Sequence, residues 1–187
     1  MTNVRFTPRP RRVLRFDCTS CGGCCSEPIA LITSEDVRRI IHHTGLRARD
    51  FVHFYRPQDV EMPARDDSWI RTRYGKRALG LAKVRGPRCT FLGKGDLCRI
   101  HEVKPLLCRM YPFKPVSPNR EPVQFTFPRS EPCQAKREGR VRLEPLRIVY
   151  QAYSDSHWAY LEELESWHRE TRGRGTPRGF LRFVGLE

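Results

Sequence analysis

The chain has 187 residues, 39% of them hydrophobic, and 35 Lys and Arg against 21 Asp and Glu give it a formal net charge of +14. That length suits one domain with a modest core. At a mean hydropathy of −0.61, no segment approaches the roughly 18–20 uninterrupted apolar residues of a membrane span.

Residues 1–15 are Arg-rich and free of acids. No apolar stretch follows them, so they do not read as a secretory signal. Pro8 and Pro10 would break the amphipathic helix of a transit peptide. The segment reads as an extended basic arm of a cytoplasmic protein, ahead of a cysteine-cluster domain over residues 16–170.

Thr33 and Asp36 form a capping-box pattern, and Val37, Ile40 and Ile41 have helical spacing that Gly45 stops. A second short helix is expected over Leu46–Tyr55, ended by Pro57. Residues 69–84 read as two strands around Gly75. Cys89–Leu92 and Leu97–Ile100 read as a tight hairpin with Leu92 facing Leu97 and Phe91 facing Cys98. Pro105 opens a helical turn that Pro112 closes, and residues 122–127 suggest a short strand. Leu146, Val149, Tyr150, Tyr153, His157, Tyr160, Leu161, Leu164 and Trp167 fall on one face of a long helix, as core packing requires. Residues 171–187 are Gly- and Arg-rich and read as a flexible basic tail. The fold class is α+β: a small, irregular, metal-centred domain with short strands and helices and a long C-terminal helix.

Eight cysteines dominate the chemistry: Cys18, Cys21, Cys24, Cys25, Cys89, Cys98, Cys108 and Cys133. A chain in a reducing cytosol rarely keeps disulfides, so metal ligation is the expected use of these thiols. In Cys18-Thr-Ser-Cys21-Gly-Gly-Cys24-Cys25, two-residue spacers let the sulfurs curl toward one centre. Gly22 and Gly23 permit positive φ and bring N–H groups near sulfur. The C-x2-C-x2-C run is similar to the ligand loop of bacterial ferredoxins, whose fourth cysteine is remote, whereas zinc knuckles more often come as two separated pairs. The simplest partition makes two centres. Cys18, Cys21, Cys24 and Cys108 hold one. Cys25, diverging from Cys24 in extended backbone, joins Cys89, Cys98 and Cys133 in the other. His101 has zinc-ligand spacing from Cys98 but reads as a supporting histidine, and Glu102 with Arg109 reads as an ion pair.

With these residues in place, the chain resembles the CxxCxxCC cysteine-cluster family, the YkgJ-like zinc- or iron-chelating proteins. The resemblance starts at Phe16-Asp17-Cys18 and runs through Cys25. It resumes at Cys89–Leu92, at Cys98–Ile100 and at Glu102, and ends on Pro105, Cys108-Arg109 and Tyr111-Pro112-Phe113, covering roughly residues 16–135. His101 stands where the family usually has tyrosine and Lys104 where it usually has arginine. The resemblance implies metal binding and no assigned activity. Flagellin lysine N-methylases carry a similar cysteine pattern linked to an iron–sulfur cluster, but they are longer, and this chain has no obvious S-adenosylmethionine site.

The expected function is therefore metal binding, as a [4Fe-4S] iron–sulfur cluster in a redox, sensing or maturation role, with zinc as the alternative cofactor. Two further readings stay open. One is a metal-dependent protein-modifying enzyme. The other is a protein or weak nucleic-acid partner held by the basic surface, where Arg71, Arg73, Lys76, Arg77, Lys83, Arg85, Arg88 and Lys94 run without an acid. The bland account of that charge is compositional, since arginine supplies 29 of the 35 basic residues.

Overall fold

The computed structural model describes residues 13–26, 29–84, 86–116, 122–127 and 136–187. In chain order the elements are β1 (Val13–Asp17), α1 (Gly23–Ser26), α2 (Ser34–Thr44), β2 (Val52–Tyr55), β3 (Ile70–Thr72), β4 (Gly75–Leu81), β5 (Lys83–Val84) and β6 (Arg88–Cys89). There follow α3 (Leu106–Met110), β7 (Lys114–Val116), β8 (Gln124–Thr126), β9 (Lys136–Arg142), α4 (Leu143–Thr171) and α5 (Pro177–Phe183). Short strands in small sheets beside a long C-terminal helix make this an α+β fold, as the sequence implies.

The capping box forms. The Thr33 hydroxyl accepts the Asp36 N–H while the Asp36 carboxylate accepts the Thr33 N–H, each at 3.2 Å, and Gly45 closes α2 in the left-handed region. Asp36 does more than cap. Its other oxygen accepts from Arg39 at 2.7 Å and from the Leu106 N–H at 3.1 Å, tying α2 to the start of α3. The apolar face of α2, Val37 and Ile40, is fully buried against the antiparallel sheet β2-β4-β3.

The helix expected over Leu46–Tyr55 does not form. A single 3-10 turn at Ala48–Asp50 leads into β2, whose Val52, Phe54 and Tyr55 pair with Leu81, Leu79 and Ala78 of β4. β-branched and aromatic side chains fit a pleated, half-buried surface, and a neighbouring strand to pair with decides the outcome. The strands around Gly75 are as expected, with Ile70 opposite Arg77. β4 is buried on both faces: Leu79 and Leu81 enter the main core, and Ala78 packs with Tyr55 and Trp69.

The end of the basic arm is a strand. β1 runs antiparallel to β9, Leu14 opposite Val141, closing the chain across more than a hundred residues; residues 1–12 lie outside the described ones. Nor is 171–187 loose where it forms α5. Thr176 caps that helix through the Gly179 N–H, and Phe180 and Leu181 are buried against Tyr160 and Trp167. Glycine and arginine flank a compact apolar set there, and the joint burial of Phe180, Leu181, Val184 and Leu186 in the main core holds the short helix in place.

The main core gathers α2, the sheet, α4 and α5; among the described cysteines Cys89 alone is buried in it, with Cys25 and Cys98 packed against it. A second cluster, including Leu14, Met110, Phe113, Phe125 and Leu143, sits where β1, α3, β7, β8 and the start of α4 meet. No helix among the described residues is long and apolar enough to cross a membrane.

Candidate metal centre

The Cys18–Cys25 loop is bent by Ser20 (φ 52°) and Gly22 (φ 67°). Only glycine fits at 22, since a Cβ there would lie 2.8 Å from that of Asp96. Gly23, expected to share that freedom, is instead the first residue of the helical turn α1. Within α1 the Cys25 N–H and the Ser26 hydroxyl both donate to the Gly22 carbonyl, at 2.9 and 3.1 Å. Lys83 reaches over from β5 and donates to the Cys25 and Ser26 carbonyls at 3.5 and 3.3 Å.

This turn overturns one premise of the two-centre partition. Cys24 and Cys25 are in helical, not extended, backbone, which sets successive side chains about 100° apart instead of on opposite faces, and their sulfurs lie 3.9 Å apart. The hairpin register also slips by one. Leu92, not Phe91, bridges Cys98, and the Gly93 N–H donates to the Leu97 carbonyl around a 3-10 turn at Lys94–Asp96. The slip does not separate the thiols. The chain turns at Cys89, where the Leu92 N–H donates to the Cys89 carbonyl, while Cys89 itself pairs with Lys83. Cys108 is carried by α3, which Pro105 starts.

All seven described cysteines thus line one cavity of about 380 Å³: Cys18, Cys21, Cys24, Cys25, Cys89, Cys98 and Cys108. Cys133 lies outside the described residues. Phe16, Phe91, Ile100 and Phe113 supply apolar wall, and Lys83, His101, Lys104 and Arg109 supply positive or ionisable groups. Arg109 does not pair with the Glu102 carboxylate as expected; its guanidinium donates to the Glu102 and Lys104 carbonyls and so fixes the approach to α3. Among the described residues, no three His, Cys, Asp or Glu side chains stand close enough to close round a metal ion unaided.

The thiols nevertheless act on one another. Sulfur–sulfur hydrogen bonding, with Cys24 first and then Cys98, pushes the Cys25 pKa up. Hydrogen bonding with Cys25 brings Cys24 and Cys98 each down to about 6 against the cost of burial, with Lys104 assisting. Burial pushes Cys89 and Cys108 up, and the charges of Cys24 and Cys98 add to this. A shared proton is doing what a cation would do better: metal binding displaces protons from such thiols. The sequence marked the cysteines, but Lys83 entered it only as part of a surface charge run. No local signal says that a β5 lysine turns inward.

The chain matches the family model CxxCxxCC, "Putative zinc- or iron-chelating domain", over residues 17–140, about two thirds of its length. No curated protein and no solved structure matches it.

Proposed function

The chain belongs to the CxxCxxCC family of zinc- or iron-chelating domains, and from that premise we propose that it holds an iron–sulfur cluster in the cysteine cavity, in a redox, sensing or maturation role. One observation carries the reading: seven thiols face a single cavity of about 380 Å³. A structural zinc ion and an iron–sulfur cluster each take four ligands, so the thiol count serves either; the space favours the larger group, since a single ion in a closed site leaves most of the cavity unfilled. The five cysteines that act on one another, Cys24, Cys25, Cys89, Cys98 and Cys108, are the proposed source of ligands, in place of the grouping read from spacing alone. A bound cluster supplies a one-electron couple whose potential follows net charge, hydrogen bonds to sulfur and solvent exposure. Here Phe16, Phe91 and Phe113 restrict water, and Lys83 and Lys104 offset thiolate charge.

A zinc reading is favoured by a different observation. Two thiolates at about 2.3 Å from one tetrahedral ion stand about 3.8 Å apart, and the Cys24 and Cys25 sulfurs are 3.9 Å apart. Anaerobic isolation separates the two. The iron–sulfur reading expects brown protein with iron and acid-labile sulfide in near-equal amounts, bleached by Cys98→Ser and less affected by Cys18→Ser. Colourless, folded protein carrying one equivalent of zinc establishes the second reading instead.

A further inference from the structure

We propose that the β3–β4 hairpin and the turn between α4 and α5 together bind single-stranded nucleic acid, with Tyr74 stacked on a base and arginines on the phosphates. The two segments are far apart in sequence, and the structure joins them. The Arg73 N–H donates to the Gly175 carbonyl at 2.9 Å, the Arg71 N–H to His168 Nε2 at 3.0 Å, and the Trp167 indole N–H to the Arg71 carbonyl at 3.0 Å. Arg71, Arg73, Arg172 and Arg174 are exposed around this join, with Lys76 and Arg77 half-buried on β4.

None of these six cations has a carboxylate partner among the described residues. The sequence holds no acid from Ser68 to Gly95, and Glu170 is the one acid between Glu165 and Glu187. The surface is not the basic run legible in the sequence. Of that run, Lys83 turns to the cysteine loop and Arg88 pairs with Asp96 at 3.2 Å. Arg172 and Arg174, from the segment that reads as a tail, take their place.

Two separate features point to the ligand. Arg71 and Lys76 stand directly opposite each other in the antiparallel ladder, where like charges destabilise the pair. The Lys76 ammonium donates to the Ala64 carbonyl at 2.5 Å, which leaves its charge uncompensated. A phosphate beside both side chains offsets that repulsion. Tyr74, at the hairpin turn, is 54% exposed, and the Arg73 guanidinium lies 4.7 Å from its ring centroid. The ring belongs to none of the buried clusters, so core packing does not account for it. An exposed aromatic set among cations is how single strands are held without sequence preference, the ring stacking on bases and the cations tracking the backbone. A polyanion without bases would use the charges and not the ring.

The probes are fluorescein-labelled oligouridylate and oligothymidylate of about twelve nucleotides, titrated with the protein as isolated and read by anisotropy. End-labelled inorganic polyphosphate is the comparator without bases. At least one strand is expected to bind in the micromolar range at about 50 mM salt and more weakly as salt rises; the two arms tell RNA from DNA as the source. Arg71→Gln and Arg174→Gln, one from each segment, are each expected to flatten the slope of log K against log salt by about 0.7. Arg49→Gln is expected to leave that slope unchanged, since Arg49 precedes β2 at the end of β4 remote from Gly75. Tyr74→Ala is expected to weaken the strands about fivefold or more and polyphosphate not at all. No cysteine takes part, so the result is independent of which metal the cavity holds. No binding at that salt, a slope that Arg49→Gln flattens as much as Arg71→Gln, or a Tyr74→Ala loss that is absent or equal on polyphosphate, overturns the proposal.

Discussion

Lys83 carries a charge where the cavity needs one. It is half-buried in the wall and bonded to the carbonyls of the α1 turn. Burial lowers its pKa while the thiols Cys89, Cys25 and Cys108 oppose that shift. Thiolates grouped in an apolar enclosure repel one another, and a fixed cation stabilises them whichever metal they hold. Lys83→Met is therefore expected to release metal to a competing chelator at about tenfold lower chelator concentration, about 1.4 kcal/mol, with Lys83→Arg close to the parent. Equal losses in Met and Arg variants would make its role one of shape, and no loss in either would move the compensation to Lys104. At this scale the sequence displayed the cysteines and hid their surroundings. Cysteine identity and spacing are local, so the loop around Gly22 could be read directly. The inward turn of Lys83 and the convergence of Cys24 with Cys25 depend on backbone conformation, set partly by Asp96 packed against Gly22.

The elements divide the same way. α2 and α4 were legible because caps and a 3.6-residue stripe are written within one segment. β1 and β9 were not, since each exists through a partner more than a hundred residues away. α5 was hidden by its flanking glycine and arginine, although Phe180 is fully buried. Phe180→Ala is accordingly expected to cost about 3–5 kcal/mol in urea unfolding; a change under 1 kcal/mol would restore the loose tail. The end of α4 adds a pH dependence. His168 Nε2 accepts the Arg71 N–H at 3.0 Å, so the native state holds this ring neutral, and desolvation first, then Arg71, lowers its pKa below the usual 6.5. Desolvation does the same to His157. The unfolded chain then binds more protons below about pH 6.5, so both contributions are complete above that pH and are lost as pH falls toward the folded values. Unfolding free energy is expected to decline from pH 7 to 5, less steeply in His168→Gln. An identical slope in that variant would assign the decline to other groups.

Over the whole molecule, the metal site shares a wall with the main core without making up that core: Leu81, Cys89, Phe91 and Ile100 belong to both. The sequence suggested a metal-centred domain because its low hydropathy left the cysteines as the obvious brace. The structure places Val37, Ile40, Phe51, Ile70, Leu79, Leu164, Trp167 and Phe180 in one buried cluster built from α2, the sheet, α4 and α5; among the described cysteines Cys89 alone is buried in it, and Cys25 and Cys98 pack against it. Metal binding and folding are coupled wherever ligands have no other support, and that condition holds for α1, which buries none of its residues, and for the turn at Lys94–Asp96, which buries none either. It does not hold for the sheet, whose strands pair and pack without a thiol in the ladder of β2, β3 and β4. Complete chelation is therefore expected to leave most far-ultraviolet helical signal and a cooperative transition. Amide exchange should quicken in residues 18–26 and 86–100 and stay slow in 34–44, 75–81 and 160–183. Collapse of protection in both groups together would make the metal the keystone of the fold, as composition alone suggests. Unchanged exchange at 18–26 would show instead that the hydrogen bonds from Cys25, Ser26 and Lys83 hold the loop without metal.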